Sequence, residues 1–299
     1  MKVGFVGLGK MGGNMSKRLV ESGHSVFALD PSIDAQENAK SNGVILCKGR
    51  QDLISNNVYL LWLMIPSQFV DAELEELLAV VPKNSVIVDG GNSDYRLTIK
   101  RAENCKKSGI TFIDVGTSGG ILGAKQGYAM MVGGDEQVVN KLSPIFDALA
   151  PPNGWAYFGK SGSGHYVKMV HNAIEYGLME SYAEGYNLLK DGPFKNIDLA
   201  KAGKVWQHGS IIQSLLNDLF VKALEENPNL NGIDGYVKES GEARWALETA
   251  KDYNVKTPAI DASFDVRLKS QKGETNFATK LLAAMRNKFG GHAINKEEK

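Results

Sequence analysis

A short apolar run, Lys2 to Gly7, passes directly into Gly7, Leu8, Gly9, Lys10, Met11 and Gly12, and a helical pattern follows to about Glu21. The run has strand length and β-branched residues, as a buried parallel strand requires. A lone Gly-x-Gly-x-x-Gly says little. Between a strand and a helix, with a second strand Ser25 to Asp30 closing on an acid, it specifies a dinucleotide-binding βαβ unit. Gly7 permits the tight turn, Gly9 lets backbone approach a pyrophosphate, and Gly12 lets helix and strand pack closely. The helix N-terminus offers free N–H groups and a positive dipole end to phosphates. A glycine-rich turn with no function would leave Asp30 unexplained. A carboxylate there accepts from adenosine ribose hydroxyls and repels a 2′-phosphate, and Pro31 and Ser32 supply no cation, so the expected cofactor is NAD rather than NADP.

The alternation continues. Val44 to Cys47, Val58 to Met64, Ser85 to Asp89 and Ile110 to Asp114 read as strands, with helices at about Gln68 to Val80 and Tyr95 to Lys107. Tyr128 to Val132 and Trp155 to Phe158 read as final strands around a helix starting near Asp135. Ligands of such sheets bind outside the carboxyl ends of the strands. Asn92 and the group Ser118, Gly119 and Gly120 are expected just past strand ends. Each has two readings: ligand contact, or an ordinary turn or hairpin residue.

From about Gly162 the pattern becomes helical. The expected fold is an α/β N-terminal Rossmann-like doubly wound sheet, residues 1–160, followed by an all-α C-terminal domain, residues 161–299, for substrate binding and oligomerisation. After a first long helix come Leu199 to His208, Ile211 to Leu224, Arg244 to Tyr253, Ala259 to Lys269 and Phe277 to Phe289. Gly162 to Gly164 is expected to be loop-like and the long helix to follow it to about Leu189, with Val167, Met169, Val170, Ile174 and Leu178 as its apolar positions. At about 100° per residue, Lys168, His171, Asn172, Glu175 and Tyr176 fall within roughly 140°. An amine, an imidazole, an amide, a carboxylic acid and a phenol thus share one face. A solvated flank with one Lys–Glu pair is the plain alternative. Because the helix starts just after the nucleotide domain, a substrate cleft is expected at its first turns.

Composition sets limits. The 299 residues carry 34 basic and 34 acidic side chains, which gives no basis for a nucleic-acid or membrane surface. Two separated cysteines, Cys47 and Cys105, make neither a disulfide scaffold nor a zinc site. They fit a reducing compartment, and the first strand starts with no signal peptide before it, so a cytoplasmic location is expected. The tail Asn295 to Lys299 is expected to fray.

The motifs together resemble the decarboxylating 6-phosphogluconate dehydrogenases, within the β-hydroxyacid dehydrogenase superfamily. The glycine fingerprint and Gly116-Thr-Ser118-Gly119-Gly120 are shared across the superfamily. Asp89-Gly-Gly-Asn92-Ser93, the stretch His165 to Tyr176, and Arg286-Asn-Lys-Phe-Gly-Gly-His292 are similar to this family in particular. The resemblance implies that Lys168 is the general base and then acid, and that Glu175 protonates the enediol. It implies that Asn92, Ser118, Gly119, Gly120, His171 and Asn172 hold the sugar acid, Asn92 also touching the cofactor. Tyr176, Arg244, Arg267 and Arg286 would clamp its phosphate, with His292 a further contact; ordinary surface charge is the other reading of the arginines. Two features depart from the family. The chain is too short for the duplicated helical domain of longer members, so a neighbouring subunit is expected to supply that part, in a homodimer or homotetramer. A family lysine before tryptophan is Arg244 here, which favours bidentate phosphate contact.

The implied reaction takes 6-phosphogluconate to ribulose 5-phosphate and CO2, a step of the pentose phosphate pathway and of gluconate utilization. A lysine abstracts a hydroxyl proton only as a free amine, so the site must lower its ordinary pKa of about 10.4. The intermediate β-keto acid carries its own electron sink, so no metal is required, in keeping with a sequence that has no His/Cys/Asp ligand cluster. A 3-hydroxyisobutyrate-type dehydrogenase needs no phosphate clamp, and a non-catalytic nicotinamide sensor has no use for Lys168 and Glu175 on one face.

Overall fold

The computed structural model describes residues 1–296. Two compact units divide at Met169/Val170.

The first unit is the Rossmann-like doubly wound sheet. It opens with β1 (Lys2–Val6), α1 (Lys10–Glu21), β2 (Ser25–Leu29), α2 (Ile33–Ser41) and β3 (Ile45–Leu46). Then α3 (Arg50–Ser55), β4 (Leu60–Leu63), α4 (Ser67–Leu78), β5 (Val86–Asp89) and α5 (Tyr95–Lys107) follow. The unit ends with β6 (Thr111–Ser118), α6 (Gly123–Gln126), β7 (Ala129–Gly133), α7 (Glu136–Lys141), α8 (Ser143–Leu149) and β8 (Trp155–Gly159). Among the described residues the strands form one sheet in the order β3-β2-β1-β4-β5-β6-β7-β8.

Strand order reverses between β1 and β4, the switch point where such sheets take ligands at their carboxyl ends. Pairing is parallel from β3 to β6. Alternation puts Trp62, Val88, Ile113 and Val115 into one apolar layer and Leu61, Leu63, Ile87 and Phe112 into the other. Burial on both faces explains why these strands read as continuous apolar runs.

Two departures from the sequence reading occur here. The stretch expected as a loop after Asp114 continues as strand to Ser118, because β7 pairs with it antiparallel, Ser118 opposite Ala129. The single helix expected after Asp135 is broken at Leu142, with Pro144 in the first turn of α8.

The helical unit comprises most of α9 (Ser163–Asp191), then α10 (Leu199–Trp206), α11 (Leu215–Glu226), α12 (Glu242–Asp252), α13 (Pro258–Ser270) and α14 (Phe277–Gly290). Its core gathers Met179, Ala183, Tyr186, Phe220, Leu224, Leu281, Leu282 and Met285. Ser214 caps α11 by accepting from Asn217 N–H, so Ile211 to Gln213, expected within that helix, lie before it. Asn276 and Thr279 form a reciprocal capping box at the start of α14. Of the tail expected to fray, the Asn295 carbonyl accepts from Asp234 N–H, Lys296 bridges to Ile233, and 297–299 lie outside the described residues. No helix among the described residues is long and apolar enough to cross a membrane.

Candidate active site

The glycine turn has the geometry its motif requires. A Cβ on Gly12 would fall 2.1 Å from the Gly7 carbonyl oxygen, so only glycine lets α1 pack this close to the turn. A Cβ on Gly9 would meet nothing within 4 Å. The backbone there faces open space, and α1 starts at Lys10 with no side-chain cap on its first N–H groups. Uncapped donors beside open space suit a pyrophosphate. Asp30 follows β2 directly. Its carboxylate accepts from Leu8 N–H at 2.5 Å and from Ser32 N–H at 2.7 Å. Asp30 therefore ties the end of β2 to the glycine turn, and each oxygen keeps lone-pair capacity for a ribose hydroxyl.

Asn92 lies in the exposed loop after β5. That loop is anchored from below. The Asp89 carboxylate accepts from Ser93 Oγ at 2.8 Å and from Gly91 N–H at 3.2 Å. Arg101 of α5 donates to Ser93 Oγ at 3.0 Å and pairs with Asp71 at 2.7 Å. Thr117 Oγ1 donates to Gly90 O at 2.9 Å, joining this loop to the end of β6. Ser118 is the last residue of β6. Gly119 and Gly120 follow with φ of 130° and 52°, a left-handed turn that favours glycine.

The first turn of α9 is set by Asp114, a fully buried acid of β6. Its carboxylate accepts from Gly162 N–H at 2.7 Å and His165 N–H at 2.9 Å, which satisfies the helix start. His165 Nδ1 is 2.7 Å from Thr98 Oγ1. Gly164 lets the helix approach β7, since a Cβ there would fall 2.3 Å from Met131 O. One turn on, Lys168 is buried. Of the polar face expected on α9, Lys168, Asn172 and Tyr176 are buried and His171 and Glu175 are partly exposed, whereas Ile174 and Leu178 are 52% and 50% exposed. The last two are among the apolar positions that mark the helix in the sequence. Glu175 stands about two turns beyond Lys168 on the same helix.

Within the helical unit, Asn172 Nδ2 donates to Glu242 Oε1 at 3.0 Å, and His171 Nδ1 lies 3.0 Å from Asn172 Oδ1 and 3.8 Å from Glu175. The Arg267 guanidinium stacks on the Tyr176 ring, 3.1 Å from its centroid. Arg267 is 1% exposed, and its Nε, Nη1 and Nη2 have no hydrogen-bond partner among the described residues. Burial lowers its pKa to about 10, against the pull of Tyr176, Glu180 and Glu175. Arg286 comes to the same cluster from α14. Its Nη1 donates to Lys238 O at 2.6 Å, and burial lowers its pKa while Tyr176, Glu175 and Glu242 support its charge.

Arg244 is exposed and engaged by Glu239 at 2.8 Å, its guanidinium over Phe264. His292 lies beyond the end of α14, edge-on to Phe289. The four cationic groups expected around one phosphate thus divide: Arg267 and Arg286 are buried about Tyr176, Arg244 and His292 are nearer solvent. Asp114, Arg101, Glu242 and Glu180 escaped the sequence reading, since a single buried carboxylate or arginine carries no local signature. An acid ending a β-strand, as Asp89 does, was the available signal for that one; Asp114 lies within β6.

A family model described as the NAD binding domain of 6-phosphogluconate dehydrogenase matches residues 2–159. A second, described as 6-phosphogluconate dehydrogenase, C-terminal domain, matches residues 164–299. The Bacillus subtilis "Putative 6-phosphogluconate dehydrogenase YqeC" is 40% identical over 99% of this chain and 100% of its own length. The Haloferax volcanii "6-phosphogluconate dehydrogenase, NAD(+)-dependent, decarboxylating" is 37% identical over the whole of both, 100% in each case. A decarboxylating 6-phosphogluconate dehydrogenase of Lactococcus lactis is 31% identical over 96% of this chain, which spans 65% of that longer protein. Among solved structures, Plasmodium falciparum 6-phosphogluconate dehydrogenase superposes with TM-score 0.82 at 25% identity, over 95% of this chain and 70% of that one. A Salmonella typhimurium 3-hydroxyisobutyrate dehydrogenase gives TM-score 0.78 at 18% identity, over 94% and 99%, a likeness of fold.

Proposed function

The chain belongs to the 6-phosphogluconate dehydrogenase family, and on that premise we propose that it oxidatively decarboxylates 6-phosphogluconate to ribulose 5-phosphate and CO2, with NAD as its preferred hydride acceptor. The observation that carries this reading is Arg267. A buried guanidinium with no hydrogen-bond partner among the described residues costs several kcal/mol unless an anion completes it, roughly the range for a desolvated ion. A dehydrogenase for an unphosphorylated hydroxy acid has no use for it. NAD preference is supported by Asp30 at the end of β2 and by the NAD(+)-dependent designation of the archaeal relative.

In this reading residues 1–160 bind the dinucleotide and residues 161–299 the substrate. Gly7 to Gly12 present backbone N–H groups to the pyrophosphate, and Asp30 accepts from the ribose. Asn92, Ser118, Gly119, Gly120, His171 and Asn172 orient the sugar acid. Arg267 and Arg286 meet the phosphate beside Tyr176, and Arg244 and His292 act at its outer side. The bound nicotinamide supplies the hydride acceptor. Lys168 Nζ, as free amine, takes the C3 hydroxyl proton while hydride leaves C3. Lys168, then ammonium, hydrogen-bonds the C3 oxygen and stabilises the charge that develops there as CO2 departs. The Glu175 carboxyl delivers a proton to C1 of the enediol. The protein works in the cytoplasm, as a homodimer or homotetramer.

The test is reduction of NAD followed spectrophotometrically with 6-phosphogluconate, gluconate and 3-hydroxyisobutyrate side by side. Turnover confined to the phosphorylated acid supports the proposal. Equal turnover of an unphosphorylated acid refutes the clamp, and no turnover of any refutes the enzyme.

A further inference from the structure

Arg267 has a second ionisable neighbour to which the proposed reaction gives no task. Glu180 lies on α9 about one turn past Tyr176. It is 5% exposed, and its Oε2 has no hydrogen-bond partner among the described residues. Buried arginines elsewhere in this chain are answered directly: Arg101 by Asp71 and Ser93, Arg286 by a backbone carbonyl. Arg267 and Glu180 each influence the other's ionisation, yet both keep unmatched polar atoms. Buried polar atoms are nearly always matched, so this pair is arranged for a third group. We propose that Glu180 is the resident counter-ion of Arg267, and that it takes up a proton from solvent when a phosphate dianion reaches the guanidinium. This inference rests on the clamp reading given above.

The charges around Glu180 support the exchange. Its own helix contributes Glu184, with Tyr176 and Glu175 nearer the arginines; α13 contributes Arg267 and α14 contributes Arg286. Burial, then repulsion from Glu184, raise the Glu180 pKa to about 7, with Arg267 pulling it down. The carboxyl therefore changes state near neutral pH. With no phosphate bound, an ionised Glu180 offsets Arg267. A phosphate carries up to two negative charges and forms strong bidentate hydrogen bonds with guanidinium. Its arrival makes an ionised Glu180 a buried like charge, and the carboxylate relieves this by forming an O–H bond at Oε2.

The sign follows from linkage. The Glu180 pKa is higher with phosphate bound than without, so binding takes up a fraction of a proton between the two values, from about pH 7 to about pH 8, and affinity falls as pH rises through that window. A phosphate monoester is largely dianionic above about pH 7, so its own ionisation does not produce this trend.

Isothermal titration of the full-length protein with 6-phosphogluconate, without NAD, reads both quantities in buffers of different ionisation enthalpy. Wild type should take up protons, and its Kd should loosen roughly three- to tenfold between about pH 7 and about pH 9, a pKa shift of up to about one unit. Glu180→Gln should lose the uptake and hold its Kd within about twofold over that range. Binding that depends on Arg267, by comparison with Arg267→Gln, but shows the same uptake in Glu180→Gln overturns this inference alone. Absent binding, or binding indifferent to Arg267→Gln, removes the clamp and the inference together. Should Glu180→Gln fail to fold, infrared difference spectra of wild type at about pH 8 decide the matter. A protonated carboxyl band must appear on binding, and its absence overturns the proposal.

Discussion

Gly116 of β6 and Lys168 of α9 fit together so closely that a Cβ on the glycine would lie 2.2 Å from the lysine Cβ. The same Cβ would fall 2.9 Å from the Gly164 backbone oxygen, so the helix itself would have to move. Gly116→Ala should cost about 1–3 kcal/mol of stability by overpacking. It should also lower kcat at least roughly tenfold, as a misplaced catalytic group does. Chemical denaturation and steady-state kinetics on one preparation check both. Unchanged kcat in a destabilised protein would show that this contact serves packing alone.

Lys168→Ala should abolish NAD reduction while NAD affinity stays near the wild-type value, because the nucleotide is assigned to the glycine turn and Asp30. Glu175→Gln should slow formation of the final product more than it weakens substrate binding. Fluorescence titration with NAD and single-turnover product analysis separate the two. Substantial turnover by Lys168→Ala would remove it as base.

Asp30 both braces the glycine turn and is proposed to hold the ribose. Asp30→Ser should lower kcat/KM for NAD by roughly ten- to a hundredfold, as loss of a charge-assisted hydrogen bond does. It should lower the value for NADP less, since the repulsion is removed too. The ratio of the two efficiencies is the measurement. Equal use of both cofactors by wild type would contradict NAD preference.

Arg101 joins the buried Asp89 to Asp71 below the Asn92 loop. Arg101→Met leaves Asp89 fully buried without its cation and should destabilise by about 3–5 kcal/mol. The Arg101 hydrogen bond also holds the Asp71 carboxyl below its ordinary pKa. A depressed carboxyl lends stability above its unfolded value and loses it as pH falls through the folded one. Urea unfolding should therefore show the wild-type advantage shrinking below about pH 4.

Glu180 gives the opposite slope. Its folded pKa, about 7, lies above the ordinary 4.5. Its contribution is fully present below about pH 4.5 and is lost as pH rises through about 7. Glu180→Gln should therefore match wild type near about pH 5 and exceed it above about pH 8 by on the order of 3 kcal/mol. Thermal unfolding across that range is the check. A parallel pair of stability curves would mean that Glu180 does not change charge there.

The glycine turn of the candidate nucleotide site was legible in the residues. Gly7, Gly9, Gly12 and Asp30 lie within one βαβ unit, where local sterics fix the turn. The motif is therefore written in consecutive residues. The helical half was legible only as a face. Period 3.6 placed Lys168, Asn172 and Tyr176 together but gave no indication that these three are buried while Ile174 and Leu178 are half exposed. Hydrophobicity points to burial only when a chain buries its most apolar side. Here α9 buries Met169 and Ala173 but also part of its polar side, through hydrogen bonds to residues distant in sequence, such as Asn172 with Glu242. The run past Asp114 read as loop, because its strand character comes from pairing with β7 rather than from its own residues.

From the sequence alone came the alternation of strands and helices, the glycine turn after β1 and the side chains proposed to do the chemistry. These depend on backbone preferences and periodicities that act over a few residues. Tertiary structure alone decided which arginines lie buried about Tyr176, that Arg267 has no hydrogen-bond partner among the described residues, and that Glu180 acts on its charge. Those outcomes depend on which helices pack together. Desolvation and charge pairing are properties of the assembled surroundings, and no window of sequence contains them.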